Sequence, residues 1–240
     1  MDILEVRELT KRFGGLTANS DISFNVRQGE MLGLIGPNGA GKTTLFNCIM
    51  GVYPINGGAV RFDRKEIHHL PTYEICKRGI ARTFQLIQVF ADMTSLENVM
   101  VGALLKTNDL NEARKRALAF LERLNLVDKQ NVFAKNLTLV DRKKLELVRA
   151  LATEPKLLLL DEVAGGLNPS EVVEFIEVVR QINRSGITII MIEHVMEAVM
   201  NIAGRIVVIE GGKKIAEGSP QEIVSNPIVI EAYLGEGYHA

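Results

Sequence analysis

Cysteine is scarce. The two thiols, Cys48 and Cys76, stand far apart with no CxxC spacing, which excludes a disulfide framework and a thiolate zinc site and fits a reducing compartment. Long apolar runs are missing too. The longest cover a few residues, well short of the ~20 a membrane helix needs; if the chain works at a membrane, another chain does the spanning. No block of one charge sign occurs: 28 Lys and Arg are interspersed with 29 Asp and Glu, for a net charge of −1. A dedicated nucleic-acid binder would be basic, so no nucleic-acid partner is expected. The opening MDILEVRELTKRF alternates and carries charge, unlike a signal peptide. There is no internal repeat, no low-complexity segment and no Gly/Ser-rich linker. What is present is 240 residues, 47% of them apolar, ample for one sizeable core with or without an insertion.

The first 35 residues read as β structure: ILEVREL and DISFNV alternate, and EMLGLIG is a short apolar strand. KTTLFNCIMG follows as a helix closed by Gly51, GGAVRFD as a strand, PTYEICKRG as a short helix stopping at Gly79. From about residue 86 to 155 the pattern turns helical. TSLENVMVGALL opens with Thr94 and Glu97 at capping-box spacing. LNEARKRALAFLERLNL puts Leu110, Ala113, Ala117, Phe120, Leu121 and Leu124 on one face. DRKKLELVRALATE runs to Pro155. Its RKK triplet is expected to be a solvated face.

Strand and helix then alternate again. KLLLLDE and ITIIMIE are buried strands. NPSEVVEFIEVVRQINRSG has Asn168 as N-cap, Pro169 in the first turn, Glu171 three on and Gly186 past the end. HVMEAVMNIAG is a helix; its Met196 and Met200, with Met191 of the preceding strand, are expected as core filling. RIVVIEGGKKIAEG is a hairpin about Gly211 and Gly212, and Ser219, Pro220 and Glu222 repeat the cap logic. Near-continuous apolar strands between helices imply a parallel sheet covered on both faces.

GPNGAGKTT, residues 36 to 44, completes the pattern G-x-x-x-x-G-K-[ST] between a strand and a helix. The glycines let backbone N–H groups turn toward phosphate oxygens, and the helix N-terminus adds its positive dipole end. The expected nucleotide contacts are Gly36, Pro37, Asn38, Gly39, Ala40, Gly41, Lys42, Thr43 and Thr44. In such a loop the lysine reaches the β- and γ-phosphates and the Thr43 hydroxyl ligates Mg²⁺. LLLLDE, residues 157 to 162, supplies the second half. Asp161 ends a buried strand and points to the metal, and Glu162 beside it polarises an attacking water as general base.

The order of these elements resembles an ABC transporter ATPase subunit over almost the whole chain. The resemblance implies an α/β fold: a P-loop NTPase core with a mostly parallel sheet, an N-terminal antiparallel β subdomain and a helical insertion. A single ABC ATPase domain would span 1–240, with 1–85 and 156–240 as core and 86–155 as helical subdomain. ATP and Mg²⁺ are the implied ligands. Phe13 in KRFGG matches the aromatic that stacks on adenine. Gln85 in RTFQ matches the Q-loop glutamine that senses Mg²⁺, His194 in MIEH matches the switch histidine at the γ-phosphate, and GGLN before Pro169 takes the D-loop place. RFGGLTANSDISF, GIARTFQ and AYLGEG look most like ATPases of branched-chain amino acid importers. A lipopolysaccharide-export ATPase is the runner-up, followed by a soluble non-transport ABC ATPase and a low-turnover regulatory module. The implied partners are membrane permease subunits, a second ATPase subunit and, indirectly, a periplasmic or extracellular binding protein. The implied place is peripheral, at the cytoplasmic membrane face.

One motif departs from the family. Where LSGGQ is usual, the chain reads LTLVD, residues 137 to 141. Thr138 keeps a hydroxyl that can replace serine at the γ-phosphate of the other protomer's ATP. Leu139 and Val140 crowd that phosphate, and Asp141 repels it unless Arg142 or Lys143 screens the charge. Either Thr138 and the helix amides still bind with lower affinity, or this face is inactive and the chain works in a heterodimer beside a partner with an intact signature. The heterodimer is favoured, because branched-chain importers resemble pairs of different ATPases.

Overall fold

A computed structural model describes residues 1–193 and 196–234. Its elements follow the expected order. β1 (Asp2–Phe13) and β2 (Leu16–Arg27) form a hairpin closed at Gly14 and Gly15; β3 (Met31–Ile35) leads through the glycine loop into α1 (Lys42–Ile49). β4 (Gly57–Phe62), β5 (Lys65–Glu66), α2 (Thr72–Lys77) and β6 (Ile80–Arg82) come next, then the helical stretch α3 (Ser95–Ala103), α4 (Leu110–Arg123) and α5 (Leu139–Leu151). β7 (Leu157–Asp161), α6 (Pro169–Arg184), β8 (Thr188–Ile192), α7 (Met196–Ile202), β9 (Arg205–Glu210), β10 (Lys213–Gly218), α8 (Pro220–Val224) and α9 (Pro227–Leu234) complete the described chain.

β3 lies inside a sheet of order β10-β9-β3-β8-β7-β6, parallel except for the β9–β10 hairpin at its edge. A second, antiparallel sheet has the order β2-β1-β4-β5. The period of two in the parallel strands explains the layering. Leu32 and Leu34 of β3, Leu157 and Leu159 of β7 and Ile190 and Ile192 of β8 face a core shared with α1 and the antiparallel sheet. Their neighbours Met31, Ile35, Leu158, Leu160, Ile189 and Met191 face the opposite core, built with α3 to α7. Both faces are covered, so these strands are apolar throughout.

The helix starts are set by caps. Thr94, Asn168 and Ser219 each close a capping box, and Asp109 and Thr138 accept amide protons at the starts of α4 and α5. Two expectations fail here. Leu110 is 64% exposed; as the first residue of α4 it lies beyond the reach of the core that buries Ala113, Ala117 and Leu121. α5 begins at Leu139 rather than Asp141, so Leu139 and Val140 belong to its first turn. Met191 is buried and Met200 packs at the core edge, while the side chain of Met196 lies outside the described residues. Among the described residues no helix is long and apolar enough to cross a membrane.

Candidate nucleotide site

Unlike α3 to α6, α1 has no side-chain cap. Its N-cap is Gly41 and its first turn carries no acid. The first amides of a helix need partners, and here side chains supply none. Two glycines fix the loop. A Cβ on Gly36 (φ 152) would meet the carbonyl oxygen of Ile209 at 1.9 Å, and one on Gly41 (φ 99) would meet that of Ala18 at 2.4 Å. Asn19, fully buried on β2, donates through its side-chain amide to the Gly41 carbonyl at 3.1 Å, and the Gly212 amide donates to the Ala40 carbonyl at 3.1 Å. The loop is therefore braced from both sheets.

Lys42 is buried and lies across its own loop. Its ammonium donates to the carbonyls of Gly36 (2.7 Å) and Pro37 (2.9 Å). An ammonium has three protons, so one stays available toward the amide cradle. Burial lowers the Lys42 pKa, opposed by the nearby Glu162 and Asp161.

β7 ends in the two carboxylates. Asp161 is fully buried, with Oδ2 held by Arg82 at 2.6 Å, while Oδ1 has no partner among the described residues. Burial raises its pKa, against Arg82. Glu162 has φ +50, a conformation side-chain-bearing residues seldom take and which clusters at functional sites. Its Oε2 accepts from Gln85 Nε2 at 2.6 Å. At the other end, the β1–β2 hairpin puts Phe13 at the rim, 42% exposed, in edge contact with Tyr53 (5.2 Å between centroids) and 4.6 Å from the Lys11 ammonium.

These residues share one open cleft of about 870 Å³, lined by Phe13, Asn38, Gly39, Ala40, Gly41, Lys42, Thr43, Thr44, Gln85 and Glu162 together with Leu16 to Ala18 and Gly211 to Gly212. Gly36, Pro37 and Asp161 lie outside that lining. Gly36 and Pro37 meet it through Lys42, and Asp161 lies at the end of the strand that leads into Glu162. His194 falls outside the described residues.

Thr138 does not reach the cleft. It caps α5: its hydroxyl accepts from the Asp141 amide (3.2 Å) and donates to Asp141 Oδ2 (2.7 Å). Two sequence expectations change. Asp141 is neutralised by Lys129, at 2.5 Å, not by Arg142 or Lys143. Burial pushes the Asp141 pKa up, but Lys129 and Thr138 hold it below the usual carboxylate range. Nor is the RKK triplet a solvated face: Lys143 is 7% exposed, with Glu193 and Glu146 as its charged neighbours.

The sequence reading missed four residues, three that brace the cleft or the segment leading from it and one at the start of α5. Arg82 and Asn19 brace the carboxylate and the loop, and Lys129 pairs with Asp141. Glu146, on α5, accepts the Gln88 amide at 2.9 Å and so ties that helix to the segment after Gln85. A charged residue ending the apolar strand IAR was a signal that a partner had to exist; the partner's identity was not in the local pattern.

A glycine loop on an uncapped helix, a buried aspartate closing the neighbouring strand and a carboxylate beside it define a P-loop nucleotide hydrolase. The comparisons narrow the class. The ABC transporter family profile matches residues 19–165, and one for the branched-chain amino acid ATP-binding cassette transporter matches residues 213–239. The chain is 42% identical to the high-affinity branched-chain amino acid transport ATP-binding protein LivG of Salmonella typhimurium and 40% identical to BraF of Pseudomonas aeruginosa, each over 98% of both chains. It superposes with a TM-score of 0.89 and 33% identity on the ADP conformation of an ATP-binding cassette of an ABC transporter, covering 98% of this chain and 100% of that one. The chain belongs to the ABC transporter family, as an ATP-binding cassette that hydrolyses ATP.

Proposed function

We propose that this cassette powers branched-chain amino acid import through partner membrane permeases, from the cytoplasmic face of the membrane. The observation that carries the reading is the single cleft joining Phe13, the amide cradle, Lys42, Gln85 and Glu162, in a chain whose relatives by name serve branched-chain amino acid transport. Those names favour amino acid transport over lipopolysaccharide export and over non-transport roles.

In this reading the adenine stacks on Phe13 and the phosphates lie on the amides from Gly39 to Thr44. The unpartnered Oδ1 of Asp161 is a buried anionic oxygen that fits a cation, and Thr43 with Asp161 would hold Mg²⁺. The cation supplies charge neutralisation for the transferred phosphoryl group. Lys42, fixed by two carbonyls, offers its third proton to the phosphates. Glu162, held by Gln85, takes the proton of the attacking water. Residues 86–155 act as the helical subdomain. Phe84, Leu86 and Phe90, exposed beside Gln85 and before α3, offer the permease an apolar surface that follows Gln85.

The second ATPase completes the enclosure. The Thr138 hydroxyl already donates its hydrogen bond to Asp141, and Leu139, partly exposed, lies in the first turn of α5. Both features disfavour phosphate binding at this face, so a heterodimer with an intact partner signature is the arrangement we favour, and the binding protein acts indirectly through the permeases.

Reconstitution with the two permeases, the second ATPase and the binding protein is expected to give ATP-dependent leucine uptake into proteoliposomes. ATP hydrolysis without uptake of any branched-chain amino acid would contradict the substrate assignment. Phe13→Ala is expected to weaken ATP binding by the worth of one stacked base, about 1–3 kcal/mol, with affinity for inorganic triphosphate unchanged. Equal losses for both ligands would remove Phe13 from the base site.

A further inference from the structure

We infer that Arg82 is a positioning residue: it fixes the Asp161 carboxylate so that only Oδ1 is presented to the metal, and metal then binds jointly with nucleotide. The inference rests on the proposed place of Asp161 in the metal site. Arg82 closes β6 and its side chain is 4% exposed. One arm of its guanidinium donates to Asp161 Oδ2 at 2.6 Å, and the other to Asn47 Oδ1 on α1. Phe46 of α1 and Phe84, next to Gln85, flank the group, with centroids 5.6 and 5.2 Å from its central carbon.

Two consequences follow from charge and geometry. With Oδ2 locked, the carboxylate cannot turn, so the direction of Oδ1 is set before any ligand arrives. The guanidinium also offsets the carboxylate charge at contact distance in a buried site. Oδ1 alone is then a weak ligand for a bare divalent cation, which needs the phosphate oxygens and Thr43 to complete its shell; Mg²⁺ generally binds through one or two carboxylates plus phosphates. A lysine would not substitute. The planar fork reaches Asp161 and Asn47 together, and so ties the strand carrying Asp161 to the helix carrying Thr43.

The test is the ratio of dissociation constants of a fluorescent ADP measured in EDTA and in Mg²⁺, for wild type, Arg82→Lys, Arg82→Gln and Asp161→Asn. Loss of an outer-shell partner typically weakens metal affinity by about 10–100-fold. The Mg²⁺ enhancement is therefore expected to fall about tenfold or more in Arg82→Lys, with affinity in EDTA unchanged. Arg82→Gln also removes the guanidinium charge that offsets Asp161, so Mn²⁺ without nucleotide, followed by electron paramagnetic resonance, is expected to bind this variant more tightly than wild type; binding no tighter overturns the charge half of the inference. Should Arg82→Gln not fold, Arg82→Lys decides. A wild-type enhancement in Arg82→Lys alongside a lost enhancement in Asp161→Asn overturns the inference while leaving the metal site standing. An enhancement kept in Asp161→Asn overturns the metal assignment, and the inference with it.

Discussion

Glu162→Gln is expected to lower ATP turnover by about 10²–10⁴-fold, the usual worth of a general base, while ATP still binds. The geometry explains why the two effects separate. Glutamine keeps the shape of glutamate, and its side-chain oxygen can accept the Gln85 amide proton as Glu162 Oε2 does at 2.6 Å. The φ of +50 at this position belongs to the backbone turn and needs no carboxylate. Only the capacity to take a proton is lost. Single-turnover hydrolysis and equilibrium binding read the two quantities independently. The assay belongs in the presence of the second ATPase, because the LTLVD face of this chain opposes closure of a symmetric pair. Equal turnover by wild type and variant would assign the base elsewhere.

Lys42→Ala is expected to act on binding as well as on chemistry. The ammonium holds the Gly36 and Pro37 carbonyls and offers one proton to the phosphates. Hydrogen bonds to charged groups contribute about 1.5–3 kcal/mol, so ATP affinity is expected to fall about 10–100-fold by titration calorimetry. Two further losses run the same way. The loop carbonyls lose their donor, and Asp161 and Glu162 lose their nearby counter-charge. Unchanged affinity in the alanine variant would mean that the amides alone hold the phosphates.

The glycine loop and the helix caps were legible because their logic is local. Thr94, Asn168 and Ser219 bond groups two or three residues away, and the Gly41–Lys42 step encodes both an uncapped helix and its cation. The β–α alternation was legible because covering both faces of a parallel sheet makes each strand apolar throughout. The start of α5 differs from the sequence pattern because Thr138 and Asp141, at cap spacing, set the helix start two residues ahead of its charged run. Arg82 with Asp161, Asn19 with the Gly41 carbonyl and Lys129 with Asp141 were not legible. The first two pairs join different strands or a strand and a loop, and no periodicity says which ion meets which.

The account depends most on the loop ending at Lys42 gripping a triphosphate. A crystal structure of Glu162→Gln with Mg²⁺ and ATP tests this directly. The expected result places the β-phosphate on the amides from Gly39 to Thr44, Lys42 on the phosphates with its bonds to the Gly36 and Pro37 carbonyls retained, and Mg²⁺ beside Thr43 and Asp161 Oδ1. Nucleotide bound away from that loop, or a metal out of reach of Asp161, would contradict it.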